Sequence, residues 1–348
     1  MAATKPCRLK LWLLLIGPAL AAIAAGPAAA QRPGPPEDGV SGFLTVLTGF
    51  VSVKSQFSTD GDNRETSSLN SSGQTVDSFV VAPLFELAYA VADWRTQVYL
   101  GLPIENIREG TFFQQEVGVR HWLEDGTRLT AAFLPWPVIA QRTWQDPFVV
   151  DEGRKRTDVD AFGFKLDADR IAGTNVGLRY RFVRRSIDDE DSGEFLRDLP
   201  GSELTGGDVR DLRRDADTHQ GTLSYAYPLG RGLLLRPALR YTYADADGAA
   251  NSFHAVRPEL GVLFRTPAYD ASVNLGYERS WFDEDNPIYG EKRDGEDYSA
   301  VLLFGYREPF GLRNVRAELI GAVNYADSEI NFYDGRVMFV GAGATYSF

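Results

Sequence analysis

Apolar and polar side chains take turns along most of this chain. From Tyr269 to Trp281, residues Tyr269, Ala271, Val273, Leu275 and Tyr277 fall on one side, and Asp270, Ser272, Asn274, Gly276 and Glu278 on the other. That period of two belongs to a strand with two unlike faces. The stretch 232–243 repeats it, with Leu233, Leu235, Leu239, Tyr241 and Tyr243 against Arg236, Ala238, Arg240 and Thr242. So does 254–265, with Val256, Leu260, Val262 and Phe264 against Arg257, Glu259, Gly261 and Arg265. In the last stretch, 336–348, Met338, Val340, Ala342, Ala344, Tyr346 and Phe348 oppose Gly341, Gly343, Thr345 and Ser347. Residues 42–57 alternate poorly, and their facing stays open.

Fourteen segments read as strands in this way, near 42–57, 79–91, 94–101, 112–122, 127–135, 158–167, 173–184, 218–227, 232–243, 253–265, 269–281, 297–307, 314–326 and 336–348. Twelve is the alternative count. Connections after odd-numbered strands are long, whereas those after even-numbered strands are short and rich in turn chemistry, as in Glu124-Asp125-Gly126 and Pro228-Leu229-Gly230. A soluble sandwich has no reason to sort its connections by length. An all-β, transmembrane, antiparallel up-and-down barrel does, with short turns on one side of the membrane, long loops on the other, and its first and last strands paired. The inward faces then meet water and the outward faces lipid, with Tyr225, Tyr227, Tyr241, Tyr243, Tyr277 and Trp281 expected as interfacial girdles.

The N-terminus changes the picture of export. Lys5, Arg8 and Lys10 precede an apolar run from Leu11 to Ala25, and Ala28-Ala29-Ala30 supplies a cleavage site, so residues 1–30 read as a Sec signal peptide. Residues 31–41 are then a short periplasmic segment and 42–348 the barrel. Cys7, the single cysteine of the 348 residues, leaves with the signal, which excludes disulfides and thiol chemistry. Loss of three cations takes the net charge from −12 to −15, and nucleic acid is not an expected partner.

Candidate chemistry lies on the inward faces. The charges placed there are Glu86, Glu116, Arg120, Arg128, Arg179, Arg181, Arg236, Arg240, Arg257, Glu259, Arg265, Glu278, Arg316 and Glu318, with arginine in excess although the whole chain is acidic. They would line either a water-filled passage whose arginines set ionic selectivity or a closed interior propped by ion pairs. Loop 185–217 would either constrict the lumen or remain an external solvated loop. Acidic runs at Asp60-Gly61-Asp62-Asn63 and Asp283-Glu284-Asp285-Asn286 lack the spacing of a calcium loop, and no metal or cofactor is expected. His121, His219 and His254 form no recognisable nucleophile and base pair, so catalysis is not expected either.

The segment Phe57 to Gly73, with Tyr99-Leu100-Gly101 and Trp144-Gln145-Asp146-Pro147, resembles a Gram-negative outer-membrane family known as domain of unknown function 2860. The resemblance implies a barrel in the outer membrane and brings no substrate or catalytic residues. Trp144 to Pro147 would be either an external docking surface or a packed loop cap. The expected function is a porin-like passive channel for small hydrophilic solutes. An occluded structural or adhesive barrel is the alternative, and a hydrophobic-substrate channel or a hydrolase comes third. Expected partners are outer-membrane lipid, lipopolysaccharide and the barrel-assembly machinery, which reads Tyr346 and Phe348 on the closing strand. A monomer is expected.

Overall fold

The computed structural model describes residues 35–59, 63–102, 114–135 and 141–348. The expected signal peptide lies outside them, as do Asp60, Gly61 and Asp62. Strands run at β1 (Gly39–Lys54), β2 (Thr75–Val91), β3 (Thr96–Leu102), β4 (Glu116–Trp122), β5 (Arg128–Leu134), β6 (Gln141–Trp144), β7 (Arg156–Asp169) and β8 (Val176–Ile187). They continue with β9 (Ala216–Tyr225), β10 (Tyr227–Gly230), β11 (Leu233–Ala246), β12 (Phe253–Arg265), β13 (Tyr269–Phe282), β14 (Gly295–Arg307), β15 (Val315–Ser328) and β16 (Gly335–Ser347). Fourteen make the wall of a closed antiparallel barrel, while the short β6 and β10 extend it beside β7 and β11. Each wall strand pairs with its neighbour in sequence, and β1 pairs with β16 over Phe43–Lys54 and Arg336–Ser347.

Closure continues past the last ladder pair. The amide of Gly42 donates to the Phe348 carbonyl at 3.0 Å and the Phe348 amide donates back to Gly42 at 3.0 Å, so the final residue is part of the seam. No open edge remains there to recruit another strand.

Several expected boundaries move. β1 starts at Gly39, inside the stretch assigned to a periplasmic segment, and ends at Lys54. β2 starts at Thr75, four residues before the expected 79. β3 starts only at Thr96, because Ala92–Trp94 form a turn closed by Arg95 in the left-handed region at φ 49°. The segment expected at 218–227 breaks near Ala226, whose amide bonds to Asn175, and its tail becomes β10.

The outer face carries a broad apolar band, including Leu44, Val46, Phe50, Val81, Leu239, Leu275, Leu302, Leu319 and Val340, all exposed. On a soluble protein such a band would be an aggregation surface; around a closed barrel it is the lipid face. The inner face is not uniformly polar, which corrects the expectation of greasy outside and wet inside. Leu47, Leu84, Val301, Leu303, Ile320 and Phe339, from β1, β2, β14, β15 and β16, pack together there as an apolar seam. This explains the weak alternation of β1: Leu44, Val46 and Phe50 face lipid, while Phe43, Leu47 and Val51 face the seam.

Candidate functional site: a charged belt, a chamber and a loop cap

Residues paired directly across an antiparallel ladder share a face, so the register fixes which side chains look inward. Gln97, Arg120, Thr130, Asp167, Arg179, Thr222, Arg240 and Arg257 are successive partners from β3 to β12. All fourteen charged positions named from the sequence fall on this inner ladder face. They do not stand as a row of free cations. Both guanidinium nitrogens of Arg120 donate to Glu86, at 2.7 and 2.8 Å, and the same guanidinium lies 3.7 Å from the Tyr99 ring centre. The Lys165 ammonium donates to both oxygens of Glu116 at 2.6 Å, and the Tyr99 hydroxyl donates to the same carboxylate at 3.0 Å.

The belt continues round the wall. Arg179 reaches Asp167 at 2.8 Å and Arg128 reaches Asp169 at 2.5 Å. Glu259 bridges Arg240 at 3.0 Å and Arg257 at 3.1 Å, and Glu278 lies 3.9 Å from Arg257. Near the turn end, Arg316 joins Asp270 at 2.6 Å and Glu318 at 2.8 Å, while Thr345 donates to Glu318 and meets Thr45. Arg181 is 8% exposed, whereas Arg236 and Arg265 are open to solvent. Two glycines make room for the belt: a Cβ at Gly276 would sit 2.8 Å from the Arg257 guanidinium, and one at Gly305 would collide with that of Arg316.

Sequence reading missed Lys165, Asp167, Asp169 and Arg307, and faced Asp270 correctly but left it off the inward charges; each is an ion-pair partner of the belt or its turn-end cluster. Alternation within the expected strand 158–167, where Lys165 and Asp167 oppose Phe164 and Leu166, would have found the first two. Arg185 was missed because the strand was ended at 184, and β8 continues to Ile187.

At the loop end, a cap with its own core covers the barrel. Phe148, Leu212, Ile330, Phe332 and Tyr333 are buried together, with Phe57, Leu69, Leu196, Ile288 and Tyr289 packed around them. Phe332 lies 5.2 Å from Phe148 and 5.7 Å from Phe57, ring centre to ring centre. Trp144 is fully buried and donates to the Gln56 carbonyl at 2.9 Å. Trp144 to Pro147 is thus a packed cap element rather than a docking surface. Arg154 runs under Trp144 and donates to the carbonyls of Gln56, Pro147 and Asn63. Burial pushes its guanidinium down to about 10. Asp146 accepts backbone amides of Phe148, Gly193 and Phe195 at 2.9, 3.1 and 3.0 Å, and burial still raises its carboxyl above the ordinary range.

Loop 185–217 belongs to this cap. Its Arg214 is 7% exposed, pairs with Glu190 at 2.9 Å and donates to the Trp144 carbonyl at 2.6 Å. Asn63, from the first acidic run, holds the Gln74 amide at 2.7 Å, and Asn286, from the second, donates to the Tyr333 hydroxyl at 2.9 Å. These two run ends therefore serve the cap. His219 and His254 contact the hydroxyls of Tyr180 and Tyr241 at 2.8 and 2.5 Å, and His121 contacts Thr96 at 2.9 Å.

Between cap and belt lies a chamber of about 670 Å³, lined by strands β7–β9 and β11–β15. Arg185, Arg214 and Arg293 face it from above and Arg181, Glu278 and Asp297 from the belt side. Below it, Arg179, Arg181, Gln220, Thr222 and Arg240 line a small pocket of about 10 Å³.

The family model described as "Protein of unknown function (DUF2860)" matches residues 39–347. No curated protein matches the sequence. Among solved structures, the TodX deltaS2S3 mutant monoaromatic hydrocarbon channel overlaps at a TM-score of 0.49 with 12% identity, covering 92% of this chain and 94% of that one. The Pseudomonas putida toluene transporter TodX gives 0.45 and 10%, covering 90% and 92%. The outer membrane channel DcaP of Acinetobacter baumannii gives 0.42 and 10%, covering 89% and 98%. Overlaps this loose bring no substrate or residue role with them.

Proposed function

The chain belongs to the DUF2860 family of proteins of unknown function, and we propose that it is a passive outer-membrane channel for small hydrophilic solutes. The chamber carries this reading. An interior that only propped the wall would close on itself, whereas here guanidinium and carboxylate groups face a void of about 670 Å³, within the range of small-molecule sites. The loop end would face the exterior and the turn end the periplasm, with solutes entering beneath the cap and crossing the belt as its side chains yield. Export by a cleaved Sec signal, recognition of Tyr346 and Phe348 during assembly, contact with lipopolysaccharide and a monomeric state belong to the same proposal.

Planar-bilayer recording of the refolded mature chain tests it. Discrete conductance steps are expected, and exchanging Arg240 and Arg257 for glutamine should shift the reversal potential in a salt gradient. A silent membrane with folded barrel inserted would end the channel reading.

A second reading has its own observation. The capped loop end and the carboxylates that pair the belt's arginines also suit an occluded barrel that presents its cap as a surface structure. Such a barrel stays silent in bilayers whether or not the arginines are exchanged. Of the histidines, His254 lies between the Tyr241 hydroxyl, at 2.5 Å, and Asp283, at 3.8 Å, and His219 and His121 contact Tyr180 and Thr96.

A further inference from the structure

The chamber is electrically uneven: three arginines line its cap side, and on its belt side two carboxylates, Glu278 and Asp297, stand with Arg181. At the cap side, Arg185, Arg214 and Arg293 line the chamber together. Glu190 neutralises Arg214. Arg185 donates to the Arg214 carbonyl at 2.5 Å, and Arg293 lies 3.9 Å from the Tyr333 ring centre and 5.1 Å from that of Phe282. Among the described residues neither Arg185 nor Arg293 has a carboxylate within 4.0 Å. Burial holds the Arg293 guanidinium below the usual arginine range, although Tyr333 and Asp297 across the chamber favour its charge. On the β13–β14 side, Asp297 is held by Asn324, and among the described residues it has no ion-pair partner within 4.0 Å and Glu278 has Arg257 alone, at 3.9 Å.

We infer that the chamber is a binding site for a small zwitterionic amino carboxylate, its carboxylate on Arg185 and Arg293 and its ammonium on Asp297 and Glu278. The chemistry follows from the two sides. Arginine forks match carboxylate geometry, and a bare dianion such as phosphate would meet Asp297 and Glu278 unfavourably. A simple cation would meet the four arginines of the lining. Phe253 and Phe282 offer the solute's body an apolar wall. The inference rests on the channel reading only in taking the chamber to be a place that solutes reach.

Saturation-transfer NMR titrations on the full mature chain in detergent micelles separate the possibilities, because they need no conductance. The probes share one carbon skeleton: L-leucine, its methyl ester, which lacks the carboxylate, and 4-methylpentanoate, which lacks the ammonium. Leucine should bind saturably and each analogue about tenfold or more weaker, the loss expected for one charge-assisted contact. R185Q and R293Q should weaken leucine and 4-methylpentanoate alike. D297N should weaken leucine and the ester but leave 4-methylpentanoate as tight or tighter. Resistance of each variant to SDS without heating reports that it folds. No saturable leucine binding, or binding untouched by both arginine variants, overturns the inference; equal affinity for 4-methylpentanoate reduces the chamber to a plain anion site and overturns the zwitterion. Leucine binding with silent bilayers would remove the channel and leave the site.

Discussion

Glu116 shows how much of the belt depends on single atoms. It is 2% exposed and accepts from Lys165 through both oxygens and from the Tyr99 hydroxyl. Truncating it to alanine leaves the Lys165 ammonium, itself 8% exposed, without its partner. Breaking a buried pair from one side costs about 3–5 kcal/mol. Glu116→Ala should therefore lower barrel stability by about that much in denaturant unfolding from lipid vesicles. The double exchange E116L/K165M should recover most of the loss, since well-packed apolar pairs replace buried ion pairs at little cost. A double variant as unstable as the single would mean that the pair positions the rest of the belt, Arg181 above all. Glu86 and Arg120 are less enclosed, so their bidentate pair should matter less to stability.

At the level of elements, the cap behaves as a small domain assembled from loops. Its core is aromatic and its polar backbone is satisfied by a few long side chains, chiefly Arg154, Asp146 and Arg214. Arg154→Met keeps the stem but removes every donor, leaving the carbonyls of Asn63 and Pro147 short of a partner at about 1–3 kcal/mol each, while Trp144 still donates to that of Gln56. The barrel ladders do not depend on Arg154. The expected outcome is a barrel that still resists SDS at room temperature while limited proteolysis cuts within 188–215, which the parent protein withstands. Cutting that is no faster than in the parent would show that the aromatic core alone holds the cap.

For the whole molecule, the claim of a lipid face has a depth signature. Leu302 is exposed midway along β14, and Tyr306 is exposed near its turn end. Arginine on the lipid face costs about 2–4 kcal/mol at mid-membrane and about 0–1 near the interface. Leu302→Arg should thus destabilise the barrel in bilayers by several times as much as Tyr306→Arg, read from equilibrium unfolding in the same vesicles. Equal effects would mean that this band does not sit across the bilayer. The apolar seam inside the barrel bears on a different property: it makes one inner wall apolar, on β1, β2 and β14 to β16, and leaves most of the charged groups to strands β3 to β13.

Much of this architecture was legible in the chain because its determinants are local. Side-chain alternation is fixed by strand geometry, and turn chemistry by the residues at each turn. From these, Tyr269 to Trp281 and 232–243 can be faced without a structure, and the sorting of loops from turns points to an up-and-down barrel with Arg240 and Arg257 inside. Curvature and register decided the rest. Lys165 meets Glu116, Thr45 meets Thr345, and Trp144 finds the carbonyl of Gln56, contacts between residues far apart that no local pattern encodes. The same holds for β1, whose two apolar faces defeat alternation until the seam of Leu84, Leu303 and Phe339 gives the inner one a partner. It holds most of all for the chamber, where Arg185 and Arg293 come together only because the closed wall sets β8 and β14 around one space and a folded cap roofs it.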